Sequence, residues 1–193
     1  MKRDQTPGAD YALLLKAIHF AAEMHRNHRR KDPNATPYIN HPIFVAWIIA
    51  EIGGIRDLHV LIAALLHDAI EDTGTTATEI GEMFGERIKS LVLELTDDKA
   101  LPRELRKRLQ TERASQLSPA AVLITLGDKI SNVSEVTSSS PADWDERRKI
   151  EYLDWAESVI CNCRKTNQQL EEHFQNALAE ARCRLRSPRE ERE

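Results

Sequence analysis

One segment constrains the fold of this chain more than any other. Residues 58–73 read LHVLIAALLHDAIEDT, an almost wholly apolar run that ends in four ionisable side chains: His67, Asp68, Glu71 and Asp72. Apolar runs of this kind are buried, and burying an ionisable group without a partner costs several kcal/mol. A fold that accepts this segment must therefore place compensating charges or an ion beside it.

The rest of the chain has the composition of a soluble globular protein. Its 193 residues are 41% hydrophobic and 30% charged, with a net charge of −4. We expect one domain over 1–193, with a core over about 11–180 and a charged tail over about 184–193. This charge balance gives no argument for a nucleic acid polymer or a membrane surface as partner.

Targeting signals are not evident in the sequence. No apolar run approaches the roughly 18 residues of a transmembrane helix, and the N-terminus lacks the apolar segment of a secretory signal. The three cysteines are an odd number without a second pair to complete a zinc site, so we expect reduced thiols. A cytoplasmic location is the resulting expectation.

Apolar residues recur at helical spacing almost throughout, and no period-two alternation or internal repeat is present. The pattern predicts an all-α fold of about eight to ten helices. Start signals are expected at Asp57, at the Thr76–Glu79 capping box and at Ser118-Pro119. The predicted helices run over 12–24, from 41 to about 52, over 58–72, from 76 to about 84, over 86–95, over 102–113, from 119 to about 136, and over about 142–162 and 165–184.

The ionisable cluster has the geometry of a metal site. In a continuous helix over 58–72, His67 lies one turn from Glu71, and Asp68 one turn from Asp72. His67 and Asp68, about 100° apart around the helix, can lean toward one point and bind a cation there. Imidazole with carboxylate favours Mn, Fe or Zn, whereas Ca prefers oxygen alone. A solvated helix end would also explain Glu71 and Asp72.

Two further ligands are needed, and the sequence offers two candidates. Asp128 interrupts the apolar helix AAVLITLGDKISNV, although an ion pair with Lys129 would explain it equally well. His41 stands at a helix entry before Pro42, where a capping role is the alternative.

Several motifs in this order resemble those of a known family. The spacing of His41, His67-Asp68 and Asp128 is similar to that of the HD-domain metal-dependent phosphohydrolases. The segments RRKDPNATPYINHP, ALLHDAIEDT, FGERIKSLVLELTDDK and GDKISN resemble the hydrolase domain of the Rel/SpoT alarmone enzymes, above all the stand-alone small alarmone hydrolases.

The resemblance implies a fold, a reaction and a substrate. The fold is a compact multi-helix HD-domain phosphohydrolase fold. The reaction removes the 3′-pyrophosphate of guanosine tetra- or pentaphosphate (ppGpp or pppGpp), giving GDP or GTP. Degradation without synthesis is implied, because the chain is too short for the synthetase and regulatory domains of the long Rel enzymes.

The resemblance also implies roles for single residues. It assigns one ion, usually Mn²⁺ with Fe or Zn as alternatives, to His41, His67, Asp68 and Asp128. It assigns catalysis beside the metal to Glu71 and Asp72. Substrate contacts are implied for Arg30, Lys31, Asn132, Arg148 and Tyr152. Without the resemblance, the basic runs over 25–31 and 103–108 would be equally well explained as solvated helix faces.

Two positions depart from the family pattern. Gly127 replaces the usual alanine, which we expect to cost that helix up to about 1 kcal/mol. Ser131 replaces an aromatic residue or histidine, which we expect to remove a ring near the nucleotide.

Other functions stay open at this stage. Ser131 motivates a metal-dependent phosphatase on another ribose-phosphorylated nucleotide such as NADPH, and a non-catalytic nucleotide sensor is a third possibility. The chain has no P-loop motif, which argues against a Walker-type nucleoside triphosphatase. The sequence leaves the oligomeric state open.

Overall fold

Helices account for the regular structure of this protein. The computed structural model describes residues 7–139, 141 and 143–186, and within these ranges it contains no β-strand. The α-helices of the described residues are α1 (Pro7–Met24), α2 (Asn40–Glu51), α3 (Leu58–Leu66), α4 (Ala69–Asp72), α5 (Ala77–Phe84), α6 (Glu86–Leu95), α7 (Arg103–Arg113), α8 (Pro119–Ser138), α9 (Glu146–Asn162) and α10 (Gln168–Arg186). A short 3₁₀ helix, Ala114–Gln116, follows α7. The all-α prediction is confirmed.

The predicted helix starts are present. The Asp57 side chain accepts a hydrogen bond from the His59 amide at 3.0 Å and begins α3. Both bonds of the Thr76–Glu79 capping box form at α5. Ser118 accepts from the Ala121 amide at 3.2 Å and begins α8. Each cap satisfies an amide that the helix itself leaves unpaired.

The predicted continuous helix over 58–72 is wrong. The chain leaves the helix after Leu66, turns through His67 and Asp68, and resumes as the single turn α4. Asp68 has φ −96° and ψ −3°, outside ideal helical geometry. At this break the Ala64 carbonyl lies 2.7 Å from Nδ1 of the His67 ring. A side chain therefore competes for a carbonyl of the helix ladder, and the turn separates Glu71 and Asp72 from α3.

The last two helices begin later than predicted. Helix α9 begins at Glu146 because the Asp145 side chain accepts from the Arg148 amide at 2.7 Å, and Ala142 lies outside the described residues. Helix α10 begins at Gln168 because the Asn167 side chain accepts from the Leu170 amide at 3.0 Å. It continues to Arg186, and the rest of the predicted charged tail, 187–193, lies outside the described residues.

Helix α8 lies at the centre of the molecule, between two sets of buried side chains. On one side it packs against α2, α3 and α6, where Ile62, Leu66 and Ile88 are fully buried. On the other side it packs against α9 and α10, where Leu153 and Phe174 are fully buried. Each such side chain contributes roughly 1.5–3 kcal/mol. Among the described residues, no helix is both long and apolar enough to cross a membrane.

Gly127 marks the close approach of α8 to α2. It is buried, and a β-carbon at this position would lie 2.9 Å from Cγ1 of Ile49 and 3.1 Å from Cγ1 of Val45. Glycine at this position therefore allows α8 and α2 to pack closely, in addition to its expected cost in helix propensity. The approach also brings His41 of α2 toward Asp128 of α8.

Candidate metal centre

Four side chains from three parts of the fold converge at one point. His41 comes from the first turn of α2, His67 and Asp68 from the α3–α4 turn, and Asp128 from the middle of α8. Nε2 of His41 lies 3.1 Å from Oδ1 of Asp128, and Nε2 of His67 lies 3.1 Å from Oδ2 of Asp68. The crossed distances, His41 to Asp68 and His67 to Asp128, are both 3.9 Å.

The buried atoms of this cluster fit a divalent cation. One ligand atom each from His41, His67 and Asp128 lies within 4.8 Å of the others. Nε2 of His67 is buried and has no polar neighbour nearer than Oδ2 of Asp68, while the His67 ring is held through Nδ1 by the Ala64 carbonyl. An imidazole whose Nδ1–H donates to a carbonyl presents the Nε2 lone pair to a metal. Two imidazoles with carboxylates are a donor set for a first-row transition metal rather than for Ca.

The two carboxylates are held by further donors. Tyr38 Oη donates to Oδ2 of Asp68 at 2.6 Å. Asp128 accepts from Nδ2 of Asn132 at 2.6 Å through Oδ1, and from Nζ of Lys129 at 2.9 Å through Oδ2. The Lys129 ion pair, which the sequence offered as an alternative for Asp128, therefore coexists with the histidine contact.

The charges of neighbouring side chains determine which groups at this site are ionised. Burial acts to raise the pKa of Asp128, but the Lys129 ammonium and His41 hold that pKa well below its usual range. Burial acts to lower the pKa of His67, but Asp68 and Asp128 raise it to about 9. The carboxylates therefore stay ionised, and a bound cation would take the place of the histidine proton.

Glu71 and Asp72 lie beside the cluster, each paired with a cation from the segment after α6. Oε1 of Glu71 lies 3.0 Å from Nη1 of Arg106, and the Asp97 amide donates to Oε2 at 3.2 Å. Asp72 pairs with Lys99. Burial raises the pKa of Glu71.

A cavity of about 80 Å³ adjoins the cluster. The acids that line it include Glu71, Asp68 and Asp128. By volume it can hold several water molecules, and these acids supply the polar partners that buried water needs. Of the two acids on α4, Glu71 is the one that faces this space.

A larger pocket opens on the other side of the Asp128 network. It has a volume of about 270 Å³, and its lining includes four of the five predicted substrate residues: Arg30, Lys31, Asn132 and Tyr152. The fifth, Arg148, lines a separate cleft between α7 and α9.

The pocket is connected to the candidate metal ligands through the side-chain amide of Asn132. Nη2 of Arg30 donates to Oδ1 of Asn132 at 3.0 Å, and Asn132 donates in turn to Asp128. Arg30 also pairs with Glu135 and lies 5.8 Å from the centre of the Tyr38 ring. A molecule bound in the pocket would therefore contact Asn132, which itself contacts the candidate ligand Asp128.

The Ser131 side chain does not line the 270 Å³ pocket. It is fully buried, and Oγ lies 3.1 Å from Nδ1 of His41. Ser131 therefore orients the His41 ring from behind rather than bordering the pocket.

Sequence reasoning missed the partners of the acids and of Asp68. Arg106 lies in the basic run 103–108, whose charge pattern did not single out that residue. Lys99 stands in the polar corner after α6. Tyr38 lies three residues before His41, in the PYINHP segment, and this proximity was the only local signal.

Comparisons with known proteins agree with this architecture. The HD domain family matches residues 17–152. A mouse protein named guanosine-3′,5′-bis(diphosphate) 3′-pyrophosphohydrolase MESH1 is 49% identical over 173 residues, which cover 90% of this chain and 97% of the mouse protein. The human protein of the same name is 51% identical over 165 residues, covering 86% of this chain and 92% of the human one. A solved structure described as a metazoan ortholog of SpoT that hydrolyses ppGpp superposes with a TM-score of 0.85 at 41% identity, covering 88% of this chain and 95% of that one.

Proposed function

This chain belongs to the HD domain family and to the family of the guanosine-3′,5′-bis(diphosphate) 3′-pyrophosphohydrolases, and from that membership we propose that it hydrolyses the 3′-pyrophosphate of ppGpp and pppGpp. Water adds to the phosphorus attached to the ribose 3′ oxygen, the bond between them breaks, and the 3′ oxygen takes up a proton. The products are pyrophosphate and GDP or GTP.

One observation supports this proposal most directly. The candidate ligands lie close together, with buried Nε2 of His67 3.1 Å from Asp68, and the carboxylate of Glu71 shares a cavity with His67, Asp68 and Asp128. Phosphoryl transfer needs charge neutralisation, a positioned water and a proton acceptor, and this arrangement offers groups for each.

The HD domain is a divalent-metal domain, and we assign its ion to His41, His67 and Asp128, whose ligand atoms lie together, and to Asp68, whose Oδ2 lies 3.1 Å from Nε2 of His67. Mn²⁺ is the ion that we propose, because two imidazoles and two carboxylates suit it and the resemblance favours it. When bound, it would neutralise phosphoryl oxygens and acidify a water molecule.

Glu71 is the residue that we propose as general base. Its pKa is raised by burial, which makes the carboxylate a better proton acceptor than an ordinary glutamate. It also lines the cavity that can hold the attacking water. Asp72 supports the site by holding Lys99, a cation that can contact a phosphate when the substrate is present.

The larger pocket is where we propose that the nucleoside binds. Tyr152 and Trp144 offer aromatic rings, with their centres 5.4 Å apart, while Arg30, Lys31 and Asn132 offer polar groups. Stacking on aromatic faces with a few polar contacts is the usual way in which nucleotide bases are held.

The remaining expectations stay predictions. They are one catalytic domain with its core over about 11–180, a cytoplasmic location, a guanine nucleotide as the small-molecule partner, and neither a nucleic acid polymer nor a membrane as partner.

Product identification tests the reaction. The Mn²⁺-loaded protein is incubated with ppGpp, pppGpp and NADPH, and the products are separated by chromatography. We expect GDP or GTP with pyrophosphate, in a metal-dependent reaction. Release of inorganic phosphate from NADPH without action on ppGpp would support the monoester phosphatase instead, and failure to bind Mn²⁺ would support the non-catalytic sensor.

Substitution of the base tests the mechanism. Glu71→Ala should lower kcat by about 10²–10⁴-fold with Mn²⁺ binding retained, because a general base contributes that much. Glu82→Ala, which changes an exposed glutamate on α5, is the matched control and should leave kcat unchanged. Full activity of Glu71→Ala would refute the proposed role.

A further inference from the structure

A cleft lined by basic side chains lies apart from the candidate metal ligands. This cleft, between α7 and α9, has a volume of about 470 Å³. Four of the side chains that line it are cations, Arg103, Lys107, Arg108 and Arg148, and two are acids, Glu104 and Glu151.

Three of the four cations of the cleft already pair with acids: Arg103 with Glu104 at 4.0 Å, Arg108 with Glu112 at 3.4 Å and Arg148 with Asp143 at 3.2 Å. These pairs are largely exposed, so that each is weak and a polyvalent anion can compete for the donors. Glu151 already pairs with Arg147, at 3.2 Å. Lys107 makes no ion pair with the described residues; its Nζ lies 5.2 Å from the centre of the Trp155 ring. Burial and the neighbouring Arg103 lower the pKa of Lys107. Nε of Arg148 is buried without a hydrogen-bond partner. These donors therefore suit an anion of several charges.

The cleft borders the 270 Å³ pocket that contains Tyr152, and it lies near the candidate metal ligands. The centre of the Tyr152 ring, in the pocket, lies 5.3 Å from the centre of the Trp155 ring, in the cleft. Nζ of Lys129 lies 4.6 Å from the centre of the Trp155 ring and 2.9 Å from Asp128. The Trp155 side chain thus lies between the cleft and Lys129, and Lys129 contacts the candidate ligand Asp128.

The position of the cleft matches one part of the substrate, given the proposed function. A nucleotide whose base and sugar lie in the larger pocket, and whose 3′-pyrophosphate lies at the metal cluster, must direct its 5′ substituent in a third direction. We propose that the α7–α9 cleft binds the 5′-polyphosphate of the guanine nucleotide and favours pppGpp over ppGpp. Arg103 and Lys107 supply the charge, and Trp155 holds the lysine in place.

A series of nucleotides that differ only in the 5′ arm tests this proposal. Binding of pGpp, ppGpp and pppGpp to the Glu71→Gln protein with Mn²⁺ is measured by titration calorimetry, so that the result does not depend on turnover. We expect affinity to rise along the series. Adding Lys107→Met should weaken pppGpp binding by about tenfold and pGpp binding by less than about twofold, because one charge-assisted contact to the longer arm is lost.

A matched lysine provides the control. Nζ of Lys16 on α1 lies 5.2 Å from the centre of the Phe84 ring, the same cation–π distance in another part of the fold. Lys16→Met should leave the affinity series unchanged. Equal affinity for the three nucleotides, or an equal loss for all three in Lys107→Met, would overturn the proposal. Hydrolysis by the unsubstituted protein is measured separately, so that failure of the proposed reaction is distinguishable from failure of the cleft assignment.

Discussion

Replacing Gly127 by alanine tests whether the close packing of α8 on α2 positions the metal cluster. A β-carbon at 127 would lie 2.9 Å from Cγ1 and 3.1 Å from Cδ1 of Ile49. Ile49 is fully buried, so its side chain cannot swing into solvent. The helices must therefore separate or Ile49 must leave its preferred rotamer. Separation would draw His41 away from Asp128, because α2 carries the first and α8 the second.

The two energetic effects of this substitution oppose each other. Alanine is favoured over glycine in a helix by about 1 kcal/mol. Adding a methyl group to a packed core costs about 1–3 kcal/mol. With contacts as short as those at Ile49, we take about 2 kcal/mol for the packing cost, which leaves a net loss of about 1 kcal/mol. For a chain of this length that loss lowers Tm by roughly 2–4 °C.

Thermal unfolding in a chelating buffer measures the stability, and titration with Mn²⁺ measures the site. We expect Gly127→Ala to lower both Tm and Mn²⁺ affinity. The cost should shrink in an Ile49→Val background, which removes Cδ1. The matched control is Gly81→Ala in α5, where the new β-carbon would lie 3.0 Å from the movable ends of Glu86 and Lys89. That control should raise Tm, and an equal rise in Gly127→Ala would refute the packing argument.

Two further substitutions test the surroundings of the site. Ser131→Ala removes the partner of Nδ1 of His41 and should weaken Mn²⁺ binding by about tenfold with Tm little changed; unaltered affinity would show that Ser131 does not orient His41. Arg106→Gln removes the cation beside Glu71, so the already raised pKa of Glu71 should rise further. Because the base must be ionised, activity is present above this pKa and is lost as the pH falls through it, so the acid limb of the kcat profile should move to higher pH. An unmoved limb would contradict the role of Glu71 as base.

The helix starts were predictable because their causes are local. The Asp57, Thr76 and Ser118 side chains each cap an amide two or three residues ahead, so that the residue types and their spacing contain the whole interaction. The break at His67-Asp68 was not predictable from periodicity. The apolar pattern continues through it, and the competing bond from the His67 ring to the Ala64 carbonyl has no signature in hydropathy.

The candidate ligands were predictable for a different reason. His67, Asp68 and Asp128 are ionisable residues in apolar surroundings, and the cost of burying them indicates a compensating group. His41 was only a second candidate from the residues, because a histidine at a helix entry has ordinary capping explanations, and the family resemblance favoured it. The convergence of the four follows from how α2 and α8 cross, which depends on side chains at several positions along both helices.

The partners of Glu71 and Asp72 illustrate what local patterns omit. Arg106 reaches Glu71 across 35 positions of the chain, and Lys99 reaches Asp72 across 27. The charge pattern of α7 is that of a solvated helix, and the same pattern would be present if Arg106 faced water. Yet the half-buried Glu71 requires a nearby cation, since desolvation alone would favour its protonated form. The sequence left a solvated helix end as one explanation of Glu71, and only the packing of α7 beside the site identifies Arg106 as its partner.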